Sequence, residues 1–425
     1  MVVEAFSLDA EAGPSTPSTW PIAPVFNFSN RPTALTTVDA CELSSQVKAN
    51  FFRHARWSPD GSAILTTAED RALRVYHTSP VDPEPVPRTI NQPDSIHSTL
   101  WYPTASAISP ETFCFVASVR DTPLRLLDAN DGRIRAAYPI IDHRERFIAP
   151  HSLAFNSTAT KLYCGHENAI EVIDVSTPGD NSERLKTTIT RRGKGGQKGI
   201  ISALAFSPDH SGTFAAGSFA GSVSLYSEDT GSNPLQHLEG ISGGGVTQLA
   251  FHPLSPQLLF VASRRSSAIQ IFDTRHTSQG PIVELRRKAS TNQRIWFDVD
   301  PWGRWIASGD EEGIVRIWDI SEGGKETPVF EEQLHDDVVN SVQSHPFSPM
   351  LLTASGSRSY LDTEGSGSSS ESSSDSGSDP KSDSDPDSDS DAEVVIIGRS
   401  EKGQVNDGCM KIWSMAPTDQ EKDVS

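Results

Sequence analysis

The sequence has few cysteines and no long apolar run. Among 425 residues only Cys41, Cys114, Cys164 and Cys409 are cysteine, and no two of them have CxxC spacing. This spacing gives neither a disulfide framework nor a paired-thiolate zinc site, and it is typical of reduced thiols in the nucleus or cytoplasm. No run of 18 apolar residues is present, and the first residues lack the pattern of a signal peptide. We therefore predict no association with a membrane.

Motifs of enzymatic chemistry are also scarce. The stretch Gly193–Gly199 does not fit a nucleotide phosphate loop, because that loop ends in Gly-Lys-Ser/Thr and leads into a helix, whereas a strand pattern follows here. Cys164 and His166 have no second pair at zinc spacing, so a strand end is the better interpretation. No Gly-x-Ser-x-Gly elbow stands out. We expect no catalytic activity, no metal and no cofactor.

The negative charge is unevenly distributed. The formal net charge is −20, and the segment 359–393 alone holds eleven carboxylates and one lysine. Its Ser/Asp/Gly/Pro composition predicts disorder, because too few apolar groups are present to offset the entropy lost on ordering. The Ser/Thr/Pro-rich residues 1–20 are predicted to be a disordered tail, and 418–425 form a short polar tail. The remaining chain is only mildly acidic.

A unit of three short strands, Arg294–Asp319, recurs along the chain. Runs of β-branched and aromatic residues alternate in it with Pro/Gly/Asp turns, as strands do. Its final strand has seven copies, at Ala72–Tyr76, Pro123–Asp128, Ala169–Asp174, Ser222–Tyr226, Ala268–Asp273, Ile314–Asp319 and Cys409–Trp413. The closing positions of successive copies are 46 to 53 residues apart, except for a last step of 95 that contains the acidic segment.

Such a unit cannot bury its faces alone, so its copies must stack against one another. The period is typical of a WD-repeat β-propeller, whose closed ring leaves no exposed sheet edge. We predict an all-β fold, a seven-bladed WD-repeat β-propeller over residues 21–417, with the acidic insertion in the last blade. A piece of residues 22–41 should add the strand that closes the ring, either Ala34–Cys41 or Ile22–Phe28, which we favour.

Four residues are assigned structural roles. Trp318, Asp319 and Trp413 end closing strands, and His335 matches the histidine that WD blades use to hold a strand and a turn aspartate. Its expected partners are Asp407 and either Thr353 or Ser355.

Basic residues are expected to gather on one face of the ring. In a propeller the strands a to d of each blade run outward from the axis, so the d-to-a and b-to-c links share one face, here named the top face. The links of the opposite, bottom face are neutral to acidic. Clustered cations indicate a polyanion-binding surface, although solvated surface arginines are the plain alternative. The top-face candidates are Arg120, Arg144, Arg146, Arg191, Arg192, Lys194, Lys198, Arg264, Arg265, Arg286, Arg287, Lys288 and Arg294.

The acidic insertion lies in a b-to-c link and therefore on the same face. Ser376, Ser382 and Ser384 each have Asp three residues later, the pattern of an acid-directed kinase, and each phosphate would add about −1.5 to −2 charge. The segment could fold over the basic residues and compete with nucleic acid. A solubilising linker is an equal alternative.

Several stretches resemble one family. Lys288–Gly309, Ala55–Tyr76 and Gly196–Pro208 are similar to the telomerase Cajal body protein family, WD-repeat proteins of small nuclear ribonucleoproteins. The most specific motif is Thr-Asn-Gln-Arg at 291–294. The chain departs from the family in its short N-terminal extension and in the Leu-Leu-Asp that closes blade two.

The resemblance implies a non-enzymatic, nuclear protein that binds guide RNAs, among them small Cajal body RNAs and telomerase RNA, together with ribonucleoprotein proteins. Spliceosomal small nuclear RNAs are another possible target, and the cytoplasm another location. Basic residues would contact phosphates, and Thr291, Asn292 and Gln293 could contact base edges. We expect a monomer. The alternative from another class is an adaptor that binds peptides on the ring, which the fold alone does not exclude.

Overall fold

The computed structural model describes residues 22–44, 47, 49–78, 86–179, 182–188, 196–321, 324–358 and 407–417. The segments predicted to be disordered, with Ser376, Ser382 and Ser384, lie outside these residues. Twenty-eight strands are described, and one 3-10 helix, Ala40–Leu43, whose first turn is capped by the Asp39 side chain. Within the described part of the chain, no helix has the length and apolarity needed to cross a bilayer.

The strands are numbered in chain order. The first fourteen are β1 Thr33–Asp39, β2 Phe52–Trp57, β3 Ala63–Ala68, β4 Ala72–His77, β5 Arg88–Asn91, β6 Ile96–Trp101, β7 Cys114–Val119, β8 Leu124–Asp128, β9 Ile134–Tyr138, β10 Ser152–Phe155, β11 Lys161–His166, β12 Ala169–Asp174, β13 Ser182–Lys186 and β14 Ile201–Phe206. The others are β15 Thr213–Ser218, β16 Val223–Ser227, β17 Gln236–His237, β18 Val246–Phe251, β19 Leu258–Ser263, β20 Ala268–Asp273, β21 Val283–Arg286, β22 Phe297–Val299, β23 Trp305–Gly309, β24 Ile314–Asp319, β25 Phe330–Gln333, β26 Val339–Ser344, β27 Met350–Ser355 and β28 Cys409–Ser414.

These strands form seven antiparallel sheets of four strands each. Six sheets are built from consecutive strands, from β2–β5 in blade one to β22–β25 in blade six. The seventh has the order β26, β27, β28, β1. Neighbouring innermost strands such as β2 and β26, or β14 and β18, pack together around the central channel. The predicted seven-bladed propeller is therefore confirmed.

The ring is closed by β1, which pairs with β28 from Thr33 opposite Ser414 to Asp39 opposite Cys409. The favoured donor, residues 22–28, is not the closing strand, and this preference was wrong. Pro24 interrupts that stretch and cannot donate a ladder hydrogen bond. Its aromatic residues pack instead, and the Phe28 ring lies edge-on to Trp305 at 4.8 Å between centroids.

Apolar side chains fill the spaces between blades. The closing-strand residues Tyr76, Tyr226, Phe272 and Trp318 are almost fully buried. Each burial of this kind contributes about 1.5–3 kcal/mol, and adjacent blades share these contacts, so each sheet is stable only beside its neighbours.

Backbone hydrogen bonds show which loops share the top face. In the b-to-c turns, the amides of Arg120 and Arg264 donate to the carbonyls of Ser95 and Gly245, at 3.0 and 2.8 Å. Both carbonyls lie just before an innermost strand. The d-to-a and b-to-c links therefore contact each other on one side of the ring, as the propeller topology requires.

Candidate nucleic-acid interface

Seven side chains of the top face surround the opening of the central channel, and we name them the mouth cluster. They come from six blades, on innermost strands or on the links beside them, and each is half-buried. Its members are His54, His97, His151, Phe219, Arg264, Arg294 and Trp296.

One side of the mouth cluster consists of rings from blades two, three and four. His97 and His151 are stacked, with ring centroids 4.5 Å apart and planes inclined by 15°. His151 also meets the edge of Phe219 at 6.0 Å. Three residues that are up to 122 positions apart in sequence therefore form one continuous set of ring contacts, in which the Phe219 ring is inclined by 70° to that of His151.

The other side combines rings with guanidinium groups. Arg264 lies over the Phe219 ring at 4.1 Å from its centroid. Arg294 lies 5.3 Å from the same ring and 5.4 Å from that of Trp296. Trp296 in turn packs against His54 of blade one, with centroids 4.7 Å apart. The contacts thus extend around the channel from blade two to blade one through blade six.

The imidazoles of the cluster are neutral at pH 7. Burial, then repulsion from Arg56 and Arg294, lowers the pKa of His54 to about 3. Burial, then the neighbouring His97 and arginines, lowers the pKa of His151 to about 3 as well. The pKa of His97 is also lowered, mainly by burial. The positive charge of the cluster therefore resides on the arginines, while the histidines add flat, polar surfaces.

The two arginines carry charge without a carboxylate partner among the described residues. Burial, then repulsion from Arg264 and Arg53, lowers the pKa of Arg294 to about 9, and burial lowers that of Arg264. No acidic side chain opposes either shift. The Nε of Arg264 is buried with no hydrogen-bond partner in the structure. A partly buried, unpaired cation costs free energy, and an anionic ligand would remove that cost.

Two charged residues lie deeper in the channel. Arg56 is exposed although it belongs to the innermost strand β2, so solvent reaches this depth. Asp298 on β22 faces the same space and accepts a hydrogen bond from the Ser344 amide at 3.0 Å. Burial raises the pKa of Asp298 to about 7, although the Ser344 amide and Arg56 oppose the shift. The floor below the mouth cluster can therefore both donate and accept hydrogen bonds.

Three of the basic residues predicted from sequence have acidic neighbours. Arg120 lies 3.7 Å from Asp121, Arg146 lies 3.0 Å from Asp142, and Lys288 pairs with Glu312. The pKa of Asp142 is lowered to about 2 by hydrogen bonds from the backbone and side chain of Arg146 and from the Arg144 amide. The net charge of the top face is therefore smaller than its cations alone suggest.

Two residues predicted to contact RNA, in the loop before blade six, make contacts within the fold. Arg287 is buried and donates to the Ile295 carbonyl at 3.0 Å and to Ser308 Oγ at 2.6 Å, and burial lowers its pKa to about 10. Both amide hydrogens of Gln293 are also used, by Asn340 and by the Gly356 carbonyl at 2.8 Å. These contacts join blade elements, so Arg287 Nη1 and Gln293 Nε2 are already bound within the protein.

The remaining candidates differ in accessibility. Asn292, Arg265, Arg286, Arg144 and Lys198 are exposed. The Arg265 amide donates to the carbonyl of Thr291, whose hydroxyl accepts from the Gln293 amide. Arg191, Arg192 and Lys194 lie outside the described residues. The structure thus brings Arg264 and Arg294 together on one ring, while Arg144 and Arg146 belong to the separate β9–β10 link.

Sequence reasoning missed five members of the mouth cluster: His54, His97, His151, Phe219 and Trp296. A usable signal was present, because a histidine stands within two residues of the start of the innermost strand in three successive blades. Each one alone has the appearance of an ordinary strand residue, and only the ring brings the three together.

His335 and the closing tryptophans lie within blades six and seven. His335 Nε2 lies 2.7 Å from Thr353 Oγ1 and its Nδ1 lies 2.9 Å from Asp407 Oδ2. Trp413 Nε1 donates to the same threonine oxygen at 2.8 Å. In blade six, Trp318 is fully buried and Asp319 accepts from the amide of the following turn. These contacts hold strands together and do not form part of the channel mouth.

Comparison with known proteins agrees with the fold. The WD domain, G-beta repeat, matches residues 290–319. Telomerase Cajal body protein 1 of Bos taurus is 36% identical over 356 residues, which are 80% of this chain and 64% of that protein. The Drosophila melanogaster homolog is 29% identical over 348 residues, 77% of this chain and 61% of that one. The chain thus spans less than two thirds of the length of these relatives.

A fungal relative is covered more completely. Guanine nucleotide-binding protein negative regulator 1 of Schizosaccharomyces pombe is 31% identical over 319 residues, which are 71% of this chain and 78% of that protein. Because the similarity extends over most of the propeller, the chain belongs to the telomerase Cajal body protein 1 family of WD-repeat proteins.

Proposed function

We propose that this protein binds small nuclear RNAs on its top face and acts as a non-enzymatic scaffold of ribonucleoprotein particles. The observation that carries the proposal is the pair Arg264 and Arg294, which lie over one phenyl ring and have no carboxylate partner among the described residues. Membership of the telomerase Cajal body protein 1 family supports a ribonucleoprotein partner. Small Cajal body RNA and telomerase RNA are the RNA classes that this kinship favours, and the nucleus is the corresponding compartment.

Charge compensation explains why RNA suits this surface. Each of these guanidinium groups gains only about 0.5–2 kcal/mol from a neighbouring ring. A phosphate would give either arginine a charge-assisted, bidentate contact, and bound counterions would be released from the RNA. The exposed Arg144, Arg265, Arg286 and Lys198 could extend such contacts outward from the channel. Backbone contacts of this kind position an RNA but do not read its sequence.

The bottom face is less suited to a polyanion. Its turns carry carboxylates: Asp174 is exposed, whereas Asp128 and Asp273 pair with Arg135 and Arg275. Hydrogen bonds lower the pKa values of all three, against the effect of burial. It also exposes apolar side chains, such as Leu254 and Phe347. This division leaves the bottom face for protein partners while the top face holds RNA.

A second candidate function is a protein-binding adaptor. The observation that favours it is the fission yeast relative, whose name describes a regulator of a guanine nucleotide-binding protein. An adaptor that binds through apolar contacts would be insensitive to salt, whereas binding to phosphates weakens steeply as salt rises. Salt dependence therefore separates the two functions.

The test compares two doubly substituted full-length proteins. Arg264→Gln with Arg294→Gln removes two cations from the channel mouth. The control, Arg275→Gln with Arg304→Gln, removes two from the bottom face, where Arg304 lies 4.4 Å over the Trp305 ring. RNA crosslinked to each protein in cells is sequenced, and the affinity for the recovered RNA is measured from 50 to about 200 mM salt.

We expect the mouth variant to lose about tenfold or more in affinity and to show a shallower salt slope, because fewer counterions are released. The control should match the unsubstituted protein. Recovery of no RNA, or equal losses in both variants, would contradict the proposal.

A further inference from the structure

We infer that the mouth cluster is a stacking pocket for one unpaired nucleobase, whose adjoining phosphate is bound by Arg264 and Arg294. This inference rests on the proposed function and adds to it the chemical group that enters the channel. It concerns the planar surfaces of the cluster rather than its charge alone.

The first argument is the arrangement of flat groups. The His97–His151 stack, the Phe219 ring and the Trp296 ring stand around one opening, and all are half-buried. Unpaired bases are bound in proteins by stacking on aromatic rings, on histidine and on arginine guanidinium planes. Every one of these three surface types is present here.

The second argument is that Arg264 and Arg294 cover Phe219, and no acidic side chain in the described part of the chain holds them there. Arg264 at 4.1 Å and Arg294 at 5.3 Å contact the ring through weak cation–π interactions. Both side chains are long and can rotate. A phosphate would draw the guanidinium groups off the ring, and the exposed phenyl face would then accept the base that follows that phosphate.

The third argument is the polar floor of the channel. Arg56 can donate hydrogen bonds, and the Asp298 carboxyl can accept them, two positions deeper along β2 and β22 than His54 and Trp296. The edge of a base that stacks at the mouth carries donors and acceptors of its own. An apolar side chain in the same place would form no hydrogen bond with either charged group, although Asp298 would keep the bond from the Ser344 amide.

The geometry also selects single strands. A base pair within a double helix presents neither face, since both faces stack on the neighbouring pairs. Rings from blades one to four and six, together with Arg264 of blade five, surround the mouth, so only a base turned out of a loop or of a free strand can reach Phe219. An acidic peptide could balance the arginines but would not use the flat surfaces, and it is distinguished by the test below.

The test separates the base from the phosphate. Two fluorescein-labelled probes of about ten nucleotides are used, oligoadenylate and an abasic ribose-phosphate chain of equal length. Their affinities are measured by fluorescence anisotropy for the full-length protein and for Phe219→Leu, which keeps apolar bulk without a π face. Phe219→Tyr is the conservative variant. Phe347→Leu, at an exposed phenylalanine of the bottom face, is the matched control.

We expect oligoadenylate to bind about 5- to 100-fold more tightly than the abasic chain, the range given by stacking one base. Phe219→Leu should lower the oligoadenylate affinity to that of the abasic chain and leave the abasic chain unchanged. Phe219→Tyr and Phe347→Leu should behave as the unsubstituted protein. Thermal unfolding of each variant checks that the ring is intact.

Three outcomes overturn the inference, and they differ in what else they affect. If both probes bind equally with a steep salt slope, the stacking pocket is wrong while RNA binding through phosphates remains. If Phe219→Leu weakens both probes equally, the ring serves the fold rather than a base. If neither probe nor cellular RNA binds and an acidic peptide does, the proposed function falls as well.

Discussion

The contacts of His335 and Asp407, here named the blade-seven network, and the mouth cluster both contain histidine and basic side chains, but these side chains differ in their partners. In blade seven, His335 has a partner on each ring nitrogen, and Asp407 also accepts from the Asp336 amide and lies 3.5 Å from Lys411. In the mouth cluster, Arg264 and Arg294 face rings and each other. His335 and Asp407 are thus satisfied within the fold, whereas neither guanidinium group at the channel mouth has a carboxylate partner among the described residues.

The largest expected effect is the loss of stability when the hydrogen bonds of the blade-seven network are removed. Asp407→Ala should destabilise the protein by about 3 kcal/mol, because it leaves a buried histidine nitrogen and a backbone amide without an acceptor. RNA affinity should stay unchanged for the folded fraction. Urea denaturation measures the loss, with Asp229→Ala, in an exposed bottom-face turn, as a control expected within about 0.5 kcal/mol. Equal stability of the two variants would refute this assignment.

Arg287 and Arg294, seven positions apart, test whether a buried structural arginine and an arginine of the channel mouth respond differently to substitution. Arg287→Met should cost about 2 kcal/mol of stability, because Ile295 and Ser308 lose a buried donor. Arg294→Met should leave stability equal or higher, since repulsion from Arg264 and Arg53 disappears, and should weaken RNA binding about tenfold. Denaturation and anisotropy on the same preparations test both statements. A loss of stability in Arg294→Met like that of Arg287→Met would place both residues in the fold.

The burial of Asp298 in the channel floor predicts that the stability of the protein depends on pH. Because the folded state raises the pKa of Asp298 to about 7 from about 3.9 in the unfolded chain, the folded protein binds the proton more tightly. Asp298 should therefore cost no stability below about pH 3.9, and its cost should grow as pH rises and be complete above about pH 7. The gain in stability of Asp298→Asn over the unsubstituted protein should accordingly rise by roughly 2–3 kcal/mol between pH 5 and pH 8, since one pKa unit is about 1.4 kcal/mol. A difference that does not change with pH, measured by denaturation, would rule this out.

The smallest expected effect concerns an exposed pair. Lys288→Gln removes a contact with Glu312 on the top-face rim. It should change stability by less than about 0.5 kcal/mol, because the Lys288 and Glu312 side chains are 57% and 50% exposed. If Lys288 contacts a phosphate, the salt slope of RNA binding should fall by about one. An unchanged slope in this variant would exclude Lys288 from the RNA contacts.

Local sequence patterns were sufficient to predict the seven blades but not to predict which strand closes the ring. The closing strands follow from runs such as Ile314–Asp319, because alternation and flanking turns are encoded within a few residues. The donor strand was harder to predict, since both pieces of residues 22–41 are apolar and only the pairing of Thr33–Asp39 with β28 separates them. The acids beside Arg120, Arg146 and Lys288 lie within four residues or across a neighbouring turn, so their effect depends on loop geometry.

The sequence by itself determined seven repeated units, a ring that must close, and the face that carries each link, because strand and turn preferences act over short distances. Tertiary structure alone decided that His54, His97, His151, Phe219 and Arg294 meet at one opening. It also decided that Arg287 is buried, while Arg294 has no carboxylate partner among the described residues. The physical reason is that burial and charge pairing are set by neighbours from other blades, which come together only when the ring closes.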